Sequence, residues 1–387
     1  MTLTLPAAAS IGDSLRQIGT PSLLIDLTTF EKNLQAMADL TRAHGVDLRP
    51  HGKAHKTSAI ALRQIAAGAV GICCQKLSEA YPFASAGVRS IHISNEFVGA
   101  DKVQMAVALA GAVALSVCVD SVSQIVALAH AAADAGVVIS VFPEVDIGAN
   151  RCGVANSDDL LTLVDEISRA SALRFAGIQA YHGGVQHIRG WELRRQAAAL
   201  GAERAANFVA ALQARGISCP VVTGGGTGSV EFDVESGVFT EVQPGSYLFQ
   251  DGDYHDNEWH GVVRPETSLY ALSTIMSATR PGHAVCDIGL KGLAVDSGLP
   301  RSVAYLPGES GAALHYVAAN DEHGILFVSG EDHDDALDQT FSALEGKRIL
   351  LPPGHCDPTI NLHDHFICFR GDVVEAIWPI DARGLSR

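Results

Sequence analysis

The octapeptide RPHGKAHK, residues 49–56, sets two histidines and two lysines almost side by side. The whole chain holds only 7 lysines, so Lys53 and Lys56 claim a large share of a scarce residue. Arg49, His51 and Lys53 stand at alternate positions, and in an extended segment alternate side chains share a face. A lysine amine partly desolvated beside other cations loses its proton more readily and can add to an aldehyde as a nucleophile. The plainer fate of such a lysine is a solvated side chain or an ion pair. A second stretch, TGGGTGS at 223–229, lacks the Gly-Lys-Ser/Thr ending of a P-loop, and Ser229 stands where a dinucleotide fingerprint needs its third glycine. Glycines still let backbone N–H groups come close to a phosphate, although a tight strand-to-helix turn would use them equally well.

The elements that must position these residues are legible from periodicity. Short β-branched runs alternate with longer helical patterns: SLLIDL (22–27), DLRPH (47–51), AVGICC (69–74), SIHISN (90–95), ALSVCVD (114–120), VVISVFPEVD (137–146), LRFAGIQAYHG (173–183) and CPVVTGGG (219–226). Eight strands with helical crossovers predict an α/β fold, a (β/α)8 TIM-type barrel; a doubly wound sheet is the alternative, and the even spacing favours the barrel. In a barrel the loops after the strands gather at one face, where active sites lie, and the last of those loops often hold phosphate. Lys53 follows the second run and the glycines follow the eighth. A nucleophilic lysine together with a phosphate cradle fits a phosphorylated aldehyde, pyridoxal 5'-phosphate. After residue 264 the texture changes to short strands joined by Gly, Pro, Asn and Asp turns. The expected division is an N-terminal segment over 1–20 that packs on the C-terminal domain, a cofactor-binding barrel over 21–264, and a mostly β C-terminal domain over 265–387.

Composition bounds the partners. Hydrophobic residues make up 47% and charged residues 18% of the 387, which fits a packed globular protein. A formal net charge of −16 without any Lys/Arg run argues against nucleic acid. The longest uncharged apolar stretch, 105–119, is too short to span a bilayer, so no membrane association is expected. The N-terminus has no basic region of a signal peptide, and the 8 cysteines form no C-x-x-C pair. They suit a reducing cytoplasm and read as small buried apolar residues.

In order along nearly the whole chain, the segments TPSLLIDL, RPHGKAHK, GICCQKLSEA, EVDIGANRCGV, IQAYHGGVQH, TGGGTGSVEFDVESGVFTEVQPGSY, NDEHG and PGHCDPTINLHD resemble the D-threonine aldolases. These belong to the alanine-racemase-like (fold type III) pyridoxal-phosphate enzymes, whose fold is a barrel plus a β-rich C-terminal domain. The resemblance implies that Lys53, and not Lys56, bonds the cofactor aldehyde. It implies that Gln75, Tyr181, Gly224, Gly225, Gly226 and Thr227 surround the cofactor, with Tyr247 at its phosphate end and Arg151 near the ring nitrogen. An arginine there gives up no proton, so the ring would be a poorer electron sink than one paired with a carboxylate. His187, in the loop after the seventh run, is the candidate base. A homodimer is also implied.

The same resemblance draws attention to PGHCDPT, residues 353–359. His355 and Asp357 are two apart, so on an extended segment both would face one ion while Cys356 faces away. Taken alone, an H-x-D pair reads as a turn with an Asp cap, and His363 and His365 read as structural. Imidazole plus carboxylate suits Mn2+, with Mg2+ or Co2+ as neighbours, whereas imidazole plus thiolate favours Zn2+. Relatives that dehydrate D-serine or D-3-hydroxyaspartate resemble this chain but carry His-x-Cys, so Asp357 points to the aldolase branch. The implied reaction is metal-assisted cleavage of a small D-3-hydroxy amino acid at Cα–Cβ, giving glycine and an aldehyde. The rivals are a dehydratase that yields a 2-oxo acid and ammonia, a non-catalytic pyridoxal-phosphate carrier, and a metal-dependent barrel hydrolase.

Overall fold

The computed structural model describes residues 3–280, 282–328 and 343–387. The chain opens with β1 (Ser22–Asp26) and α1 (Leu27–His44), then runs through β2 (Asp47–Leu48), α2 (Ser58–Ala66), β3 (Ile72–Cys74) and α3 (Leu77–Ser85). The alternation continues with β4 (Ser90–Ile93), α4 (Ala100–Ala110), β5 (Ala114–Val119), α5 (Val122–Ala135), β6 (Ile139–Pro143) and α6 (Ser157–Arg169). Next come β7 (Leu173–Phe175), β8 (Ile178–Ala180), α7 (Trp191–Ala214), β9 (Val222–Gly224), α8 (Val230–Glu235), β10 (Glu241–Val242) and α9 (Gly252–His255). The rest comprises β11 (Leu269–Arg280), β12 (His283–Cys286), β13 (Ala304–Tyr305), β14 (Leu314–Ala319), β15 (Gly324–Val328), β16 (Arg348–Leu351), α10 (Cys356–Ile360), β17 (His365–Arg370) and β18 (Val373–Pro379). By contact the chain divides into two compact units. One comprises Leu34–Tyr247, Asn257–Arg264 and Gly384–Arg387; the other comprises Met1–Asn33, Leu248–Asp256 and Pro265–Arg383.

The first unit is an α/β barrel. Parallel pairing runs β3-β4-β5-β6-β7 in one arc and β2-β10-β9-β8 in the other. The bridges His51 to Cys73 and Glu144 to Gln179 join the arcs and close the ring. Local chemistry supports the crossovers. In α6, Asn156 caps the first turn by accepting from the Asp159 N–H, two aspartates sit at the positive end, and Leu160, Leu163, Val164 and Ile167 make the buried stripe. Helix α5 stops where Gly136 turns left-handed at φ 66°.

One strand assignment is corrected. SLLIDL, read as the first barrel strand, lies outside the barrel: β1 pairs antiparallel with β11 and parallel with β17. The ring is completed instead by β10, which pairs with both β2 and β9. A short run buried on both faces reads the same in a barrel as in the middle of a mixed sheet, and two-residue β10 carries too little pattern to register.

The barrel interior is polar where β2, β9 and β10 meet. Arg49 Nε donates to Glu241 Oε2 at 2.9 Å and its Nη1 to Ser90 Oγ at 2.9 Å. Thr223 Oγ1 donates to the other Glu241 oxygen at 2.7 Å, and Gln243 Nε2 donates to Thr223 at 2.7 Å and to Gln179 at 2.9 Å. A Cβ on Gly71 would sit 2.4 Å from the Arg49 guanidinium, so glycine there leaves the cation its room.

In the second unit the sheet order is β14-β15-β12-β11-β1-β17-β18, with β16 pairing β11 and β13. Leu15 and Ile18 of the N-terminal segment are fully buried beside Leu24, Leu272, Leu306 and Ile367. Arg348 holds that segment through the carbonyls of Leu15 and Ile18 at 3.0 and 2.7 Å. All 8 cysteines are free thiols, and Cys73, Cys74, Cys118, Cys286, Cys356 and Cys368 are buried. Among the described residues no helix is long and apolar enough to cross a membrane.

Arg49 and Glu241 are nearly buried, so removing one partner strands a charge in the barrel. Glu241→Gln is expected to lower unfolding free energy by about 3–5 kcal/mol in urea titrations, and Arg49→Met in the same chain to restore much of the loss.

Candidate active site

Strand β2 ends at Leu48, but the backbone stays paired through His51, whose N–H donates to Pro244 O at 3.1 Å. It then tightens into a 3-10 turn over Gly52–Ala54, with half-buried Lys53 in its middle. The alternation argued from Arg49, His51 and Lys53 therefore holds only as far as His51. Gly52 explains the departure: a Cβ there would press on Phe83 and Ile72 at 2.9 and 3.0 Å, so only glycine lets the turn lie that close. The turn is pinned by Lys53 N–H donating to His51 Nδ1 at 3.4 Å. That leaves Nε2 carrying the ring proton toward Ser94 Oγ, 3.0 Å away. Burial and the nearby Lys53 charge hold the His51 pKa well below the usual histidine range, so this ring is neutral.

The two lysines of RPHGKAHK separate cleanly. Lys56 adopts φ 52° and is nearly buried, with Nζ 2.9 Å from Glu79 Oε1 and 3.3 Å from Leu385 O. Glu79 also accepts from the Gln75 and Lys76 N–H groups at 3.1 Å each. Lys56 is thus held as an ion-pair partner of Glu79.

The glycine loop leaves β9 and enters α8. A Cβ on Gly224 would overlap Ala180 O at 1.8 Å, one on Gly226 would meet the Gln186 side chain at 2.7 Å, and Gly225 is left-handed at φ 71°. Gln186 braces the loop by accepting from Gly228 N–H at 2.7 Å and donating to Ser229 Oγ at 2.9 Å. Thr227 Oγ1 is buried without a hydrogen-bond partner. Such an orphan in a glycine cradle suits a ligand oxygen, and a phosphate fits this donor set. Asp233 lies behind the loop, hydrogen-bonded by Ser229 at 2.6 Å, and burial pushes its carboxyl up to about 7. Near neutrality it is about half protonated, and below that mostly so, which weakens its repulsion of an anion.

The remaining barrel residues are spread along the loops. The Gln75 side chain hydrogen-bonds His51. Arg151 lies over the Tyr181 ring at 5.6 Å and 3.8 Å from Glu144. Tyr247 is fully buried and accepts from Gln64 Nε2 at 3.1 Å; burial raises its hydroxyl pKa. His187, itself exposed, ends the 3-10 turn Gly183–His187, whose Val185 and Gln186 are buried. Sequence reasoning missed His182, whose buried Nδ1 has no partner. Its only signal was its place beside Tyr181.

In the β-rich unit, His355 and Asp357 are not on an extended segment. His355 is the N-cap of α10 and Asp357 lies in its first turn. Cys356 between them is fully buried, while both flanking residues are partly exposed. His355 Nδ1 is 2.6 Å from Asp296 Oδ2, which leaves Nε2 as the nitrogen that could ligate an ion. Burial alone would lower the His355 pKa, but the Asp296 hydrogen bond and the charges of Asp357 and Asp251 outweigh it and raise it. An imidazole with a second ring nitrogen not used by Asp296, next to the partly exposed Asp357 carboxylate, is a donor pair of the kind that fits a divalent cation. Asp296 was not legible as the partner of this imidazole, because it lies 59 residues from His355.

A family model for the alanine racemase N-terminal domain matches residues 25–253, and one for a putative serine dehydratase domain matches 268–369. The D-threonine aldolase of Arthrobacter sp. is 47% identical over 385 residues, covering 100% of this chain and 98% of that protein. The chain belongs to the D-threonine aldolase-like branch of the alanine racemase family. The crystal structure of D-threonine aldolase from Filomicrobium marinum superposes on this aldolase-like chain with a TM-score of 0.90 at 43% identity, over 98% of this chain and 99% of that one. A cysteine-to-alanine variant of D-threo-3-hydroxyaspartate dehydratase, solved in the metal-free form, matches at TM-score 0.83 and 27% identity, over 95% and 98%.

Because the Asp233 pKa is raised on folding, the folded protein holds that proton longer than the unfolded chain does. Its contribution to stability therefore falls as pH rises from the ordinary carboxylate range to about 7. Asp233→Asn should remove this slope, gaining on the order of 1–3 kcal/mol at pH 8 relative to pH 4 in thermal or urea unfolding of the cofactor-free chain.

Proposed function

We propose that this protein cleaves D-threonine and related D-3-hydroxy amino acids to glycine and an aldehyde, using pyridoxal 5'-phosphate and a divalent metal. The full-length likeness to a D-threonine aldolase supports the reaction class. One observation carries the choice of aldolase over dehydratase: the residue two after His355 is a carboxylate, Asp357, and not a thiol.

Pyridoxal phosphate, when bound, supplies an aldehyde for the substrate amine and an electron sink for the charge left on Cα. A divalent ion supplies positive charge that lowers the pKa of the 3-hydroxyl. The chain's own residues do the rest. Lys53 offers the amine that holds the aldehyde, on a turn fixed by neutral His51. Gly224, Gly225, Gly226 and the Thr227 hydroxyl would hold the phosphate end, and Tyr247, Gln75 and Tyr181 would complete the cofactor's lining. Arg151, which lies over the Tyr181 ring, would supply the cation beside the cofactor ring. His187 accepts the 3-hydroxyl proton. His355 and Asp357 bind the ion, Mn2+ by ligand hardness, and Asp296 orients the imidazole. The protein works as a homodimer, which sedimentation of the purified chain would show.

Proton NMR of the protein with D-threonine, pyridoxal phosphate and Mn2+ should show glycine and acetaldehyde, and an EDTA-treated sample should show neither. 2-Oxobutanoate as the product would replace this reading with a dehydratase. Losing a metal ligand removes several kcal/mol of charge stabilisation, so Asp357→Ala should lower kcat/KM by about 100-fold or more. Asp296→Asn, which only loosens the imidazole, should weaken metal affinity about 10–100-fold.

A further inference from the structure

We infer that the barrel unit carries a second cation site, built from Glu96, Asp120 and Cys152 with Glu144 against them, for a borderline divalent ion of the Zn2+ class. One ligand atom from each of Glu96, Asp120 and Cys152 lies within 4.8 Å of the others. Small side-chain adjustments bring such a trio onto one ion at ordinary metal–oxygen and metal–sulfur distances of about 2.0–2.3 Å. The fold explains the meeting. Glu96 and Asp120 stand just beyond β4 and β5, Glu144 follows β6, and Cys152 lies in the loop after that strand. Parallel pairing of β4 with β5 and of β5 with β6 puts these ends on one stretch of the barrel rim.

Acidic residues often cluster without binding anything, and the deciding feature is lost hydrogen bonding. Glu144 is only 2% exposed, and its Oε2 has no partner. Glu96 Oε1 is likewise buried and unpartnered. The two carboxyls face each other: burial first, then the Glu96 charge and a hydrogen bond shared with Glu96, push the Glu144 carboxyl up to about 9. Arg151, 3.8 Å away with a half-exposed side chain, is a weak, solvent-screened counter-ion. Asp120, by contrast, is already aimed, since its oxygens accept from Gln124 Nε2 at 3.0 Å and Gly153 N–H at 3.2 Å. A divalent ion held by the trio would give the Glu96 oxygen a partner and take the place of the proton that Glu96 shares with Glu144. The Cys152 sulfur selects a borderline ion over Mg2+ or Ca2+, and binding would release the thiol proton to solvent. The cluster shares no residue with the His355–Asp357 pair, so the inference does not depend on the proposed reaction.

The test uses the full chain carrying His355→Ala and Asp357→Ala, stripped with a chelator and titrated with Co2+ as a coloured stand-in for Zn2+. One equivalent should bind with a thiolate-to-cobalt charge-transfer band in the near ultraviolet. Adding Cys152→Ser, a near-isosteric change checked by circular dichroism, should abolish the band. Glu96→Gln should weaken Co2+ binding about tenfold or more. Absence of Co2+ binding, or a charge-transfer band that survives Cys152→Ser, would overturn the site and leave Glu96 and Glu144 as a proton-sharing pair.

Discussion

The buried ion pair between Arg49 and Glu241 is the constraint on which the cofactor end of the barrel depends. Glu241 pairs in register with Asp47 on one side and Thr223 on the other. Its two carboxylate oxygens take Arg49 and Thr223. Arg49 is four residues before Lys53, and Thr223 immediately precedes Gly224. One carboxylate therefore fixes the strand that delivers the lysine against the strand that delivers the glycine cradle. A purely apolar packing of these positions would hold the strands without setting them so finely, because apolar contact has no direction.

From that frame the chemistry follows by elimination of charges. Lys56 is neutralised by Glu79, which also ties the Gln75 and Lys76 amides. His51 is kept neutral by burial and by Lys53 itself. Asp233, the carboxyl beneath the glycine loop, is about half protonated near neutrality, because burial holds it at about 7. The environment thus spends its ionic partners around Lys53 and the loop, and leaves a neutral histidine, an unpaired threonine hydroxyl and close-packed glycines at the cradle.

Much of this was legible in the sequence, for physical reasons that can be named. The helical crossovers carry long 3.6-residue patterns with caps, as in α6, and these survive any tertiary context. The glycine loop announced itself because the backbone packs so close there that a Cβ on Gly224 would fall 1.8 Å from Ala180 O. What failed was short and local. SLLIDL has the apolar run of a barrel strand but is buried in the other sheet, where β11 and β17 flank it. Period-two reasoning carried from His51 to Lys53, and from His355 to Asp357, broke where the chain turned into a 3-10 turn and a short helix. Partners distant in sequence, Asp296 for His355 and Glu144 for Glu96, left no linear signal at all.

The account rests most directly on Lys53 being the residue that bonds the cofactor. Borohydride reduction of the purified protein with pyridoxal phosphate, followed by peptide mass spectrometry, reads this without any turnover. The mass of the reduced pyridoxyl phosphate group should appear on Lys53 and be absent from Lys56. Modification of Lys56, or of neither lysine, would contradict the account.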